Sequence, residues 1–190
     1  MSDRINIIQP DTDCLFIIHL QNDLIMPIGN IPVPDGDQII EPIKKILLFF
    51  EKITLCLLKM PLYHPAFKPV KFCVYGSWGA EYPYFGNEFR DIRVLRMEHG
   101  YNINFPINSH FSDPGFLETI RNWGIKRIFL SGLPLETDVK ELALILKEQG
   151  FEVIIFEDCV KPRDKALGEI AKQDLEMAGI QFMNTSQFFE

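Results

Sequence analysis

The chain has 190 residues, 47% of them hydrophobic and 24% charged, with a formal net charge of −7. That composition fits a folded globular protein and excludes an intrinsically disordered one. The acidic balance argues against nucleic acid or an anionic membrane as a main partner, and the length suits one domain over residues 1–190.

Met1 to Gln9 mixes both charge signs and lacks the long apolar stretch of a secretory leader, so none is expected. Apolar runs such as Ile46 to Phe50 fall far short of a membrane span. Cys14, Cys56, Cys73 and Cys159 show no Cys-x-x-Cys spacing. They read as free thiols in a reducing cytoplasm, mostly buried, rather than as a disulfide framework or a zinc site.

In chain order, Cys14 to Leu20 reads as a buried strand, apolar until its end. Asp37 to Lys52 has Ile39, Ile40, Ile43, Ile46, Leu47 and Phe50 at the spacing of an amphipathic helix. Further strands are expected at Thr54–Met60, Ile92–Met97, Lys126–Ser131 and Phe151–Phe156, with a short one at Gln181–Asn184. Helical patterns cover Asp113–Trp123, Leu135–Gln149 and Arg163–Ala178. Asp113-Pro114 suits a helix start, and Gly150 and Gly179 stand just past helix ends.

Strand and helix alternate, which predicts a mostly parallel sheet between two layers of helices. In such a sheet the ligand crevice lies beyond the C-terminal ends of the strands. His19, Met97 and the loop after Ser131 are therefore the positions of interest. Pro61 to Asn87 is rich in proline, glycine and aromatics without periodicity, the mark of a functional loop or an interface.

Several stretches have a recognisable form: Ile17-Ile-His-Leu-Gln-Asn-Asp-Leu24, Val33-Pro-Asp-Gly-Asp37, Cys73-Val-Tyr-Gly-Ser-Trp-Gly-Ala-Glu81, and Ser131-Gly-Leu-Pro-Leu-Glu-Thr-Asp-Val-Lys140, followed by Phe156-Glu-Asp158. In this order they resemble the motifs of the isochorismatase-like cysteine hydrolases, the group that includes nicotinamidase/pyrazinamidase. The resemblance spans about Asp13 to Ile180 and implies that family's three-layer α/β/α sandwich.

The family's chemistry needs a cysteine thiolate, an aspartate to take its proton and a lysine to hold the charges together. The resemblance puts His19 at the aspartate position, Met97 at the lysine position and Asp138 at the cysteine position, so all three are substituted. It also puts Pro134 where the family uses a backbone N–H for the oxyanion, and proline has none. Leu24, Leu133 and Thr137 complete the expected pocket and oxyanion loop, with a cis Leu133–Pro134 bond. Of the nicotinamidase metal ligands, Leu62-Tyr63-His64 and Phe72 retain His64 alone, which cannot form a specific site by itself. No metal and no cofactor is expected.

Two functions follow. In the first, the chain is a catalytically silent family member acting by small-ligand binding or protein association. In the second, it is a diverged hydrolase of small amides in which His19 and Asp138 activate water, or Asp138 attacks directly. Thr137 and Ser131 read as helix-start or loop hydrogen-bonders, and Cys159 as buried filler. Tyr75, Trp78, Tyr82, Tyr84 and Phe85 would form either a lid over a small planar ligand or a packing surface. The resemblance further implies a homo-oligomer.

Overall fold

The computed structural model describes residues 8–63, 70–83, 93–100 and 114–188, the 93–100 segment by its backbone. Six strands form one sheet: β1 (Asp13–Ile18), β2 (Lys52–Lys59), β3 (Arg93–Gly100), β4 (Arg127–Gly132), β5 (Glu152–Val160) and β6 (Gln181–Met183). Their order is β3-β2-β1-β4-β5-β6, and every neighbouring pair is parallel.

Helices cover both faces, giving the three-layer α/β/α sandwich. The central strands are apolar on both sides, as a doubly covered sheet requires. Leu15 and Ile17 of β1 pack on the side of α1 (Asn22–Ile25) and α2 (Ile40–Leu47), together with Ile39, Ile43 and Ile46. Cys14, Phe16 and Ile18 pack on the opposite side. There they meet α3 (Pro114–Asn122), α4 (Lys140–Glu148) and α5 (Lys165–Met177) through Ile120, Leu142, Leu146 and Leu175.

The chain runs from β1 outward to β2 and β3, then returns to place β4 on the other side of β1. The direction of winding therefore reverses between β1 and β4. Such a reversal leaves a crevice beyond the strand ends that no crossover loop fills.

Several boundaries differ from the sequence reading. The helix expected over Asp37–Lys52 is a 3₁₀ turn (Gly36–Ile39) followed by α2, which ends at Leu47. Phe50 falls at helical spacing, but it is buried through a tight turn in which the N–H groups of Phe49 and Phe50 bond to Ile46 and Leu47. Lys52 instead opens β2, and its Nζ bonds to the carbonyls of Pro10 and Asp11. β5 extends past Phe156 to Val160, with a register shift against β4 between Leu130 and Gly132. Gly150 and Gly179 take φ of +87° and +75°, as helix-terminating residues do. Proline opens α3, while its expected cap, Asp113, lies outside the described residues. No helix among the described residues is long and apolar enough to cross a membrane.

Candidate functional site

Two unusual backbone conformations stand at the reversal point. Gly132, the last residue of β4, has φ +118°, and a Cβ there would collide with the backbone of Ile18. Only glycine lets the ends of β4 and β1 approach this closely. His19, the first residue after β1, has φ +48°, sparsely populated for a residue with a side chain. Its N–H bonds to the Cys56 carbonyl at 2.9 Å, while Gln21 N–H bonds to the His19 carbonyl at 2.7 Å, so the turn is held on both sides.

After β4 the Leu133–Pro134 bond is cis, and Leu135–Val139 forms one π-helical turn before α4. Such single π turns recur at functional sites. Here Glu136, Thr137 and Asp138 all face one cavity of about 220 Å³. The remaining polar walls are His19 and Arg163, and the apolar walls are Leu24, Ile31, Leu58, Phe72 and Pro134.

His19 Nε2 lies 3.2 Å from Asp138 Oδ1, and Thr137 Oγ1 donates to Asp138 Oδ2 at 2.8 Å. The histidine is fully buried and the aspartate side chain is 19% exposed. Burial pushes the Asp138 carboxyl up, but the charge of His19 and the hydrogen bonds from His19, Thr137 and its own backbone outweigh it. The carboxyl is held below the usual range and is ionised at neutral pH, so His19 Nε2 is the donor in the pair.

The loop backbone is already committed. The amides on either side of Pro134 bond elsewhere, Leu133 N–H to Ile18 and Leu135 N–H to Lys161, each at 3.0 Å. Glu136 accepts the backbone N–H groups of Arg163 and Asp164 at 3.0–3.1 Å.

The structure thus brings His19, Asp138, Thr137, Pro134 and Leu24 together. Leu133, expected beside them, is wholly buried in the apolar core and does not line the cavity, because the turn at Gly132 carries it inward. Met97 lies farther off: Gly132, Ile18, Cys56 and Met97 form one row across β4, β1, β2 and β3. Its side chain, like His64, Tyr84 and Phe85, is outside the described residues. Of the aromatic cluster, the described Tyr75, Trp78 and Tyr82 do not line the cavity, and Tyr82 packs against the core, which fits the packing alternative; Phe72 does line the cavity. Ser131 Oγ donates to the Phe16 carbonyl of the neighbouring strand β1, a cross-strand bond in place of the helix-start or loop role expected of it.

Sequence reasoning missed Arg163, Glu136, Ile31 and Leu58. The signal was available for Arg163, which follows the end of β5 as His19 follows β1.

The described residues at the expected metal-ligand positions do not fit a metal. Phe72 offers no ligand atom, Leu62 and Tyr63 are exposed, and no group of three His, Cys, Asp or Glu among the described residues is placed to hold an ion. All four cysteines are free and wholly buried. None lines the cavity. Burial pushes the Cys14 thiol up to about 12 and the other three thiols up as well.

The Isochorismatase domain family model matches residues 13–187. No curated protein sequence matches the chain. Among solved structures, the chain is similar to the pyrazinamidase of Pyrococcus horikoshii in complex with zinc, at 25% identity and a TM-score of 0.79, over 90% of this chain and 98% of that one. It shares its fold with PnC1 from L. infantum in complex with nicotinate, at 23% identity and a TM-score of 0.85, over 95% and 96% of the two chains. The yeast nicotinamidase bound to the inhibitor nicotinaldehyde is likewise similar in fold, at 19% identity and a TM-score of 0.77, over 91% and 100%. With the model matched along nearly its whole length, the chain belongs to the isochorismatase family.

Proposed function

We propose that this chain is a catalytically silent member of the family, which binds a small planar ligand in the cavity without cysteine hydrolysis. The observation that carries this reading is the wall of the cavity: Asp138 stands where the resemblance places the nucleophile, and no cysteine lines the space. Thiolate chemistry needs an accessible, partly ionised sulfur. All four sulfurs are buried and their ionisation is suppressed. Pro134 supplies no amide for an oxyanion and its neighbours' amides are committed, a loss on the order of 100- to 1000-fold in rate for each such donor. Two structurally similar proteins hold planar pyridine compounds, nicotinate and nicotinaldehyde, which supports a planar ligand. The free thiols suit a reducing cytoplasm.

The pair at 3.2 Å favours one competing reading, in which His19 and Asp138 activate water. In that geometry Nε2 carries the proton and is not the base, and the ring is fully buried. A hydrolysis screen of the purified protein against small amides, vinyl ethers and esters, beside Asp138→Asn, separates the two. Background rates in both proteins are expected. Turnover that disappears in the variant would establish the water-activating hydrolase instead.

A further inference from the structure

α5 carries a face that the body of the molecule does not use. Gly168, Ala171 and Leu175 bury one side of the helix against the core. On the other side Leu167 and Ile170 are each 53% exposed and Met177 is 79% exposed. Their offsets of three and seven residues keep them on one stripe of an α-helix. An exposed apolar stripe rimmed by polar residues marks an interaction surface. None of these residues lines the cavity, so the face stands apart from the ligand-binding reading.

The edge of that stripe carries charges in a self-matching order. Lys165, Glu169, Lys172 and Glu176 follow at spacings of four, three and four residues, one row along the helix. Read backwards, the row keeps its spacing and exchanges every sign. In an antiparallel pair about a two-fold axis, each edge of the helix faces its own copy. Lys165 then meets Glu176 and Glu169 meets Lys172, and the axis repeats both pairs. Among the described residues Lys165, Glu169 and Glu176 close no ion pair within the chain. Lys172 Nζ holds Glu157 at 2.5 Å and has two further N–H donors. On the other edge Asp174 is already compensated by Lys140 of α4.

Area sets the strength of such a contact. The 13 residues of α5 make a helix about 20 Å long. Two helices of this length, face to face, cover less than the roughly 800 Å² per partner of a standard stable interface. The contact therefore suits a reversible dimer.

We propose that α5 is a self-recognition face. Two copies of the chain pair through antiparallel α5 helices, with Leu167, Ile170 and Met177 packed between them and the charged rows fixing direction and register. Such a contact is isologous and closes at two copies. A partner of another kind would cover the apolar stripe without needing a row that reverses its own signs.

Sedimentation velocity of the full chain across a concentration series tests it. A monomer–dimer equilibrium is expected, with a Kd of roughly 1–100 μM for so small a contact. Ile170→Glu should leave a monomer throughout. Lys165→Glu and Glu176→Lys should each weaken association roughly 3- to 30-fold, because the axis makes two attractive pairs repulsive at once. Combining the two exchanges restores matched pairs with their signs swapped, and should return the parent Kd to within about threefold. All three positions are exposed, so melting curves in dilute solution should match the parent. A chain that stays monomeric, a dimer that survives Ile170→Glu, or species that grow beyond two copies each overturn the proposal. A combined variant that associates no better than the single exchanges overturns it as well.

Discussion

Asp138 is where opposing electrostatic effects can be weighed. Burial alone would favour its neutral form, yet the His19 charge and three hydrogen bonds keep it ionised. Its folded-state affinity for a proton is lower than in the unfolded chain, so protonation favours unfolding. The stabilisation is complete above about pH 5 and is lost as pH falls through the usual carboxylate value near 4 and below. Asp138→Asn is therefore expected to lose about 1 kcal/mol at pH 7, with a smaller gap to the parent at about pH 3. Denaturant titrations at the two pH values check this. An equal gap at both would show that shape, and not charge, is what the carboxylate contributes.

The ends of β1 and β4 and the short helix α1 hold the site in place. Gln21, wholly buried, donates to the carbonyls of Leu58 and Ala80 and accepts the Leu58 N–H. Asn22 donates to Trp78, and Asp23 accepts the amides of Cys73 and Asn30. The Gln-Asn-Asp stretch thus fastens residues 72–81 to the strand ends, which places Phe72 at the cavity. Gly132 does the corresponding work between β4 and β1. Gly132→Ala combines a left-handed backbone with a backbone collision, so a loss of about 3 kcal/mol or more is expected. Thermal melts followed by circular dichroism measure it; a loss under about 1 kcal/mol would mean that the strand ends can separate at little cost.

Across the whole molecule, the cysteines report on the integrity of both core layers. Cys73 and Cys159 lie in the layer with α2, and Cys14 and Cys56 in the layer with α3, α4 and α5. A thiol with a pKa of about 12, like that of Cys14, is ionised to roughly one part in 10⁵ at pH 7, and burial also blocks the reagent. Iodoacetamide at pH 7 is expected to modify none of the four in the native protein and all four in denaturant, as read by intact mass. Rapid native labelling of one cysteine would show that its layer opens locally, and labelling confined to the cavity would overturn the placement of Asp138.

Much of the fold was legible because its signals are local. Apolar runs such as Cys14–Ile18 and Phe151–Phe156 identify strands whichever partners they find, and the motifs from Ile17 to Asp158 carry the family in their order. His19 and the Ser131–Lys140 loop were legible too, because strand-end positions are where a parallel sheet leaves its crevice. Other features depend on residues distant in the chain. α1 has four residues, too few for periodicity, and exists through its bonds to residues 72–81. The inward turn of Leu133 follows from the contact of Gly132 with Ile18, and the His19–Asp138 bond joins positions 119 apart. Arg163 and Phe72 become cavity walls only when β5 and the mid-chain loop are brought to the reversal point. Local sequence can specify what each segment is, because period and turn chemistry act over a few residues. The contents of a cavity enclosed by five segments are decided by packing, which acts between them.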